Sequence, residues 1–529
     1  MITTVKIAKE IDALFSNWDK PDSPGCAIGI VKKGELIYSR GYGMANIEHG
    51  IPITANTVFT IASVSKQFTA ACILLLVQSG KLTLDDDIRQ YIPELPRYEH
   101  PISIRHLIHH CSGLKCYVEL WTLKERCLHN VIDNTYALDL ITRQRGLNFQ
   151  PGSAHLYCNT GYLLLGEIIG RVSGKSLVAF AEEKIFTPLG MTDTRYSDDH
   201  TLIVKNSAGA YDPRVGGGFQ HAQSGVETIG GGGVMTTIKD LSLWDRNFYH
   251  PTIGGEDFAA QMTAPGILNN GRKINYAFGL VHGQYQGLKT IGHTGQGIGF
   301  RAHLTHFPEQ AVTIICLANL GNIQPEFLIR QVADLVFSDL FQQKVPARVV
   351  KDVSMQQLQT LSGDYWSPAS GMTSRMSVKE GNFWVEVGGN IMLLKPTGEM
   401  RFEVGDEGIH VAVDEPGRNQ PARTHIVTQT GETDTFEKFD PVSLDKDQLA
   451  EYTGDYYCEE IQVFYRLSVH SGQLYLKHKG AYLGPFKPGI KDVLFLNGAS
   501  FKFSRNKGGD VTGLLVNSGR ARKIQFSKL

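Results

Sequence analysis

The apolar positions along this chain fall into two regimes, and the change between them lies near residue 345. In the first regime, Val5 to Trp18 repeats its apolar residues at helical spacing and predicts an amphipathic helix. Cys26–Val31 and Glu35–Tyr42 are strand-like runs around Lys32-Lys33-Gly34, a hairpin signal. Val58 to Ala62 reads as a buried strand end. Val64, Phe68, Ala71, Cys72, Leu74 and Leu75 then follow with helical spacing up to Ser79-Gly80, a helix stop. Mainly helical sequence continues to about Gly190 and includes an apolar helix from Leu163 to Val172. Strands return in Tyr276–Gly283, Leu288–Gly292, Phe300–Phe307 and Ala311–Leu320, and a long helix, Glu326–Phe341, closes the region. Strands at both ends with helices between predict an α/β unit whose first and last strands share one antiparallel sheet flanked by helices.

Beyond Lys344-Val345-Pro346 the pattern changes to short alternating strands separated by turns, and it repeats. Leu361-Ser362-Gly363-Asp364-Tyr365-Trp366 matches Tyr452-Thr453-Gly454-Asp455-Tyr456-Tyr457. Ser377-Val378 and Phe383-Trp384-Val385 match Ser468-Val469 and Leu474-Tyr475-Leu476. The offset is 91 residues throughout. Two tandem all-β, barrel-like domains are expected. The chain then divides into 1–344, 345–440 and 441–529, with Asp440-Pro441-Val442 as the second joint.

Composition narrows the function. With 529 residues, 42% hydrophobic and 20% charged, the chain has ample core for several domains. A formal net charge of −1 argues against nucleic acid or a membrane surface as the main partner. The eight cysteines are scattered, and Cys26, Cys72 and Cys316 sit inside apolar runs, so buried thiols are expected rather than a disulfide framework. Met1 to Ile7 lacks the layout of a signal peptide, and the longest apolar stretch, around Ala70 to Val77, is too short to cross a bilayer. These features predict a cytoplasmic protein; a homodimer is left open.

The chemistry starts at Ser63. Ser63 and Lys66 stand three residues apart at a helix start, where i and i+3 share a face and the amine can reach the hydroxyl. A serine hydroxyl needs such a base to become a nucleophile. Ser112–Lys115, Ser443–Lys446 and Ser504–Lys507 have the same spacing, but lie in glycine- and charge-rich stretches that read as turns or short helices. Further along, Tyr157-Cys158-Asn159 offers a phenol whose acidity a lysine can raise, and an amide able to orient that lysine or a substrate. His293-Thr294-Gly295 sits at a strand end, where glycine lets a substrate backbone lie close. His470-Ser471-Gly472 repeats that pattern inside the β repeat and reads as a turn. His106 and His110 have the i, i+4 spacing of metal ligands, but no glutamate between them serves as a base. Gly216–Gly218 and Gly230–Gly233 lack the Gly-Lys-Ser/Thr of a phosphate loop and read as an active-site wall. No metal and no cofactor is expected.

Taken in order, with gaps of about 94 and 136 residues, Ser-x-x-Lys, Tyr-x-Asn and His-Thr-Gly make the chain resemble the serine β-lactamase-related, penicillin-recognising hydrolases. The likeness runs from Ala13 to about Phe341 and points to the class C β-lactamase branch. The two-module tail resembles that of three-domain D-aminopeptidases, which act on peptides, amides and esters with an N-terminal D-residue. The resemblance implies an acyl-enzyme serine hydrolase. Ser63 is then the nucleophile, Lys66 its proton partner and Tyr157 the relay to the leaving group. Asn159 then holds substrate or lysine, and the backbone N–H groups of Ser63 and Gln296 form the oxyanion hole. His293, Thr294, Gly295 and Gln296 line the substrate strand. β-Lactamases carry lysine where this chain has His293, which argues against carboxylate-bearing substrates. β-Lactams are then inhibitors or poor substrates. The rival readings are an esterase or weak β-lactamase using the same residues and, outside enzymes, a penicillin-sensing or scaffolding protein. In the D-aminopeptidases a loop of the last barrel narrows the site and helps select the amine. The matching stretch, Leu494 to Phe501, is shorter here, so the resemblance leaves that selectivity open.

Overall fold

A computed structural model describes residues 5–125, 130–222, 224–341, 353–387, 390–398, 400–404, 409–414, 421–428 and 430–529. The expected joint at Lys344-Val345-Pro346 lies outside the described residues. Helix α1 (Val5–Leu14) precedes the hairpin β1 (Cys26–Lys32) and β2 (Glu35–Tyr42). After the helical region come β3 (Val281–Tyr285), β4 (Leu288–Gln296), β5 (Arg301–Phe307) and β6 (Val312–Ala318). They form one sheet in the order β3-β4-β5-β6-β1-β2, every pair antiparallel. The first and last strands of the N-terminal region therefore meet, with Cys26 opposite Ala318.

β1 is buried on both faces, which accounts for its unbroken apolar run. Cys26, Ile28 and Ile30 pack outward with Ile11 of α1, with Phe15 just after it, and with Ile329 and Val332 of the helix Pro325–Val336. Ala27 and Val31 face inward toward the helical layer. Two expected strands shift. Tyr276 to Leu280 is a turn rather than the start of β3, because Gly279 takes a φ of +72° and Ala277 hydrogen-bonds Leu280 across it. β4 runs on to Gln296 because its pairing with β5 continues to Gln296–Arg301. His293-Thr294-Gly295 therefore lies within the strand, not at its end.

The tail is two β assemblies. Eight strands from Gly363–Trp366 to Thr433–Phe439 close into a barrel with its own core around Tyr365, Phe383 and Phe436. Nine strands from Gly454–Cys458 to Ala521–Lys528 make an open sheet. The repeat includes a short helix before each assembly, Met355–Leu361 and Lys446–Glu451, each opened by a capping box (Ser354 with Gln357, Asp445 with Gln448). Each copy then pairs an aspartate with an arginine, Asp364–Arg375 and Asp455–Arg466. The second copy stays open at the seam between Ala481–Leu483 and Lys487–Pro488, where Pro485 and Pro488 have no N–H to close a ladder. Its core is continuous with that of the N-terminal region. Among the described residues no helix is long and apolar enough to cross a membrane, and the seven described cysteines are buried and unpaired.

Candidate active site

Ser63 lies on a 3₁₀ turn, Ala62–Ser65, that leads directly into the apolar helix α2 (Lys66–Gln78). Ala62, just before it, holds φ at +45°, a left-handed conformation that costs a residue with a Cβ and persists only where the surroundings enforce it. Here Ile61 donates to the Val234 carbonyl and Val64 donates to that of Ile61.

Lys66 is the first residue of α2 and is fully buried. Its Nζ lies 2.8 Å from Asn159 Oδ1, 2.6 Å from the Gly231 carbonyl and 3.1 Å from Ser63 Oγ. Two of these partners are carbonyl oxygens, which only accept. A neutral amine has two hydrogens for them, and its lone pair then faces the serine hydroxyl. Burial, and secondly the positive charge of Arg520, lower the Lys66 amine to about 7. The geometry is that of a base on a serine.

Asn159 opens the helix Asn159–Ser173, four residues earlier than the apolar pattern indicates, with Cys158 as its N-cap. The Cys158 N–H is received by His110 Nδ1 at 3.1 Å. The His110 ring packs 4.3 Å from that of Tyr157. The Tyr157 ring also lies 4.8 Å from Lys66 Nζ, and its hydroxyl is buried without a hydrogen-bond partner of ordinary geometry. Burial drives the phenol upward, while the neighbouring Ser63 hydroxyl and Arg520 pull it back.

His293 is buried, and both ring nitrogens are engaged within the protein. Nδ1 lies 2.7 Å from the Thr294 carbonyl and must donate to it, so Nε2 accepts from Tyr276 Oη at 3.0 Å. That tautomer is uncharged, in keeping with a histidine held down at about 3 by burial and then by the Lys66 charge. The Thr294 hydroxyl pairs with His303 instead of facing Ser63. Gly295 packs on the segment before the serine, where a Cβ would overlap the Ile61 carbonyl oxygen. Gln296, exposed, ends the strand. A cavity of about 130 Å³ borders Tyr157, His293, Thr294 and Thr430.

Several members of this cluster carry no motif. Gly231 falls in a glycine run and His110 in a histidine run, in which His106 closes a capping box with Ser103. Two more come from the tail. Glu432, between the strands Arg423–Val427 and Thr433–Phe439, accepts the Tyr157 backbone N–H at 2.6 Å. Arg520, in the turn between Val511–Ser518 and Ala521–Lys528, sits 5.6 Å from the Tyr157 ring centroid. The stretch Leu494–Phe501 is a tight hairpin whose Phe495 packs on Trp366 of the barrel. The tail therefore meets the site through other turns.

The fold is that of a serine hydrolase. Residues 11–336 match the family model described as Beta-lactamase, and the chain belongs to that family. It is 26% identical over 447 residues to a D-aminopeptidase of Gluconobacter oxydans, covering 83% of this chain and 80% of the relative. A D-aminopeptidase of Cereibacter sphaeroides is 25% identical over 527 residues, 96% of either chain. Among solved structures, an octameric penicillin-binding protein homologue from Pyrococcus abyssi shares the fold with a TM-score of 0.57 at 20% identity, over 90% of this chain and 98% of that one.

Proposed function

We propose that the protein is a D-aminopeptidase or D-amino-acid amidase that acylates Ser63 with peptides, amides or esters bearing an N-terminal D-residue. The observation that carries the chemistry is the Lys66 amine, held by two carbonyls with its third position on Ser63 Oγ. The similarity to D-aminopeptidases over 96% of the chain supports the substrate class. In this reading Lys66 takes the serine proton and Tyr157 passes it to the departing amine. Asn159 fixes the lysine, and the N–H groups of Ser63 and Gln296 receive the oxyanion. An uncharged His293 supports neutral or N-terminal substrates over carboxylates.

The test is a panel of D- and L-aminoacyl p-nitroanilides, p-nitrophenyl esters and nitrocefin, run with the wild-type protein and Ser63→Ala. The D-anilides should be turned over fastest, and Ser63→Ala should lose at least about three powers of ten, as expected when a nucleophile is removed. A phosphonate should label the Ser63 peptide alone. Preference for L-substrates or nitrocefin would overturn the substrate class; a label on Ser112 would overturn the site.

A further inference from the structure

The lysine that β-lactamases carry at the position of His293 is absent here, and the histidine in its place is neutral by its hydrogen bonds. Tyr157 nevertheless has a second cation beside it. The Arg520 guanidinium lies 5.6 Å from the ring centroid, opposite in origin to Lys66 at 4.8 Å: one comes from the nucleophile helix, the other from the last β-sheet. Arg520 is firmly anchored. Its Nε donates to Glu119 Oε1 at 2.6 Å, and its carbonyl accepts from the Cys116 N–H at 3.1 Å and Asn148 Nδ2 at 2.9 Å. With 30% of its side chain exposed, it is permanently charged and only partly screened.

We propose that Arg520, carried in by the last sheet, is a positioning residue that stabilises the Tyr157 phenolate left when the phenol protonates the departing amine. This rests on the relay role given to Tyr157 above. The step balances as follows. Lys66 takes the Ser63 proton as the C–O bond forms. When the C–N bond breaks, its electron pair stays on nitrogen, which receives the Tyr157 proton. The phenolate is then reprotonated by the Lys66 ammonium. Negative charge sits on Tyr157 only during that transfer, and that is where a nearby cation lowers the barrier. The other groups facing Tyr157 are weaker or opposed. His110 and His293 are held neutral by burial, Ser63, Tyr276 and the buried Cys116 thiol are uncharged, and the Glu432 carboxylate works against the phenolate.

An amide needs its leaving group protonated and a p-nitrophenyl ester does not, so the proposal separates the two. Arg520→Met keeps the apolar stem and removes the charge. It should lower acylation by a D-aminoacyl anilide about 10- to 100-fold while leaving the matching p-nitrophenyl ester within about threefold, and Arg520→Lys should restore most of the difference. If the single variant does not fold with Glu119 left without its partner, Glu119→Gln/Arg520→Met removes both members of the pair and should give the same ratio. Independently of turnover, 3,5-difluorotyrosine at position 157, followed by ¹⁹F NMR, should ionise about one to three pH units higher without Arg520. An unmoved titration, or equal losses on amide and ester, would overturn the role of Arg520. So would an effect limited to KM for carboxylate-bearing substrates. A shifted titration with an unchanged amide-to-ester ratio would overturn the relay role of Tyr157 instead, and with it the step.

Discussion

A lysine held at about 7 is close to half neutral near pH 7, and this fixes the sign of the pH dependence. Below that value the amine carries a proton and cannot take one from Ser63. kcat/KM for a neutral ester should therefore fall about tenfold per pH unit below 7 and level off above it, as a pH profile of initial rates will show. A second expectation concerns His293. Replacing it with lysine puts an amine able to carry charge where the ring is neutral, which should raise acylation by benzylpenicillin relative to a neutral ester by about one to two powers of ten. The new charge should also move the Lys66 limb to lower pH, because like charges disfavour the protonated amine. A ratio that stays put would assign the preference to pocket shape. At this scale the sequence was informative wherever spacing carries geometry. Ser63 and Lys66 are one turn apart, so their contact follows from the 3₁₀ turn that leads into α2. Glu432 and Arg520 were not legible, because hydrogen bonds spanning 275 and 401 residues tie their turns to the catalytic region, and neither turn has a local pattern.

At the scale of elements, the Ser63 turn and β4 act as a pair. The turn holds Ala62 in a left-handed conformation, and Gly295 lets the strand lie directly on Ile61. Gly295→Ala should thus force the two apart, at a cost of about 1–3 kcal/mol in stability. Activity should fall by more than the folded fraction does, because the Gln296 N–H moves with the strand. Thermal denaturation and kcat/KM measured on one preparation would check this, and equal losses would mean that the contact serves stability alone. Helix and strand identities were readable from periodicity, whereas several of their ends were not. β4 outlasts its apolar run because β5 keeps offering ladder partners, and the helix at Asn159 starts early because His110, from another segment, receives the Cys158 N–H. Tertiary partners set those boundaries.

Over the whole molecule, the two copies of the repeat have different attachments. The barrel keeps a separate core, while the open sheet shares one with the catalytic region and is tied to it by the pair between the buried Lys115 and the half-buried Glu460, at 2.7 Å. We propose units at 1–344, 345–440 and 441–529. A barrel fragment from about residue 353 to 440 should fold alone, with a cooperative melt and a β-type circular dichroism spectrum. A fragment carrying only the last sheet should not, since its inner face would lose the surface it packs on. Two equally stable fragments would refute the asymmetry.

The Arg520–Glu119 bond also has a consequence in time. Contacts so distant in sequence form late, since the loop between them must close before they gain anything. The Ser63 turn, built from neighbours, should be assembled well before the guanidinium arrives. After dilution from denaturant, ester hydrolysis should therefore recover first and amide hydrolysis should lag behind it; simultaneous recovery would mean that the last sheet docks as early as the catalytic core forms.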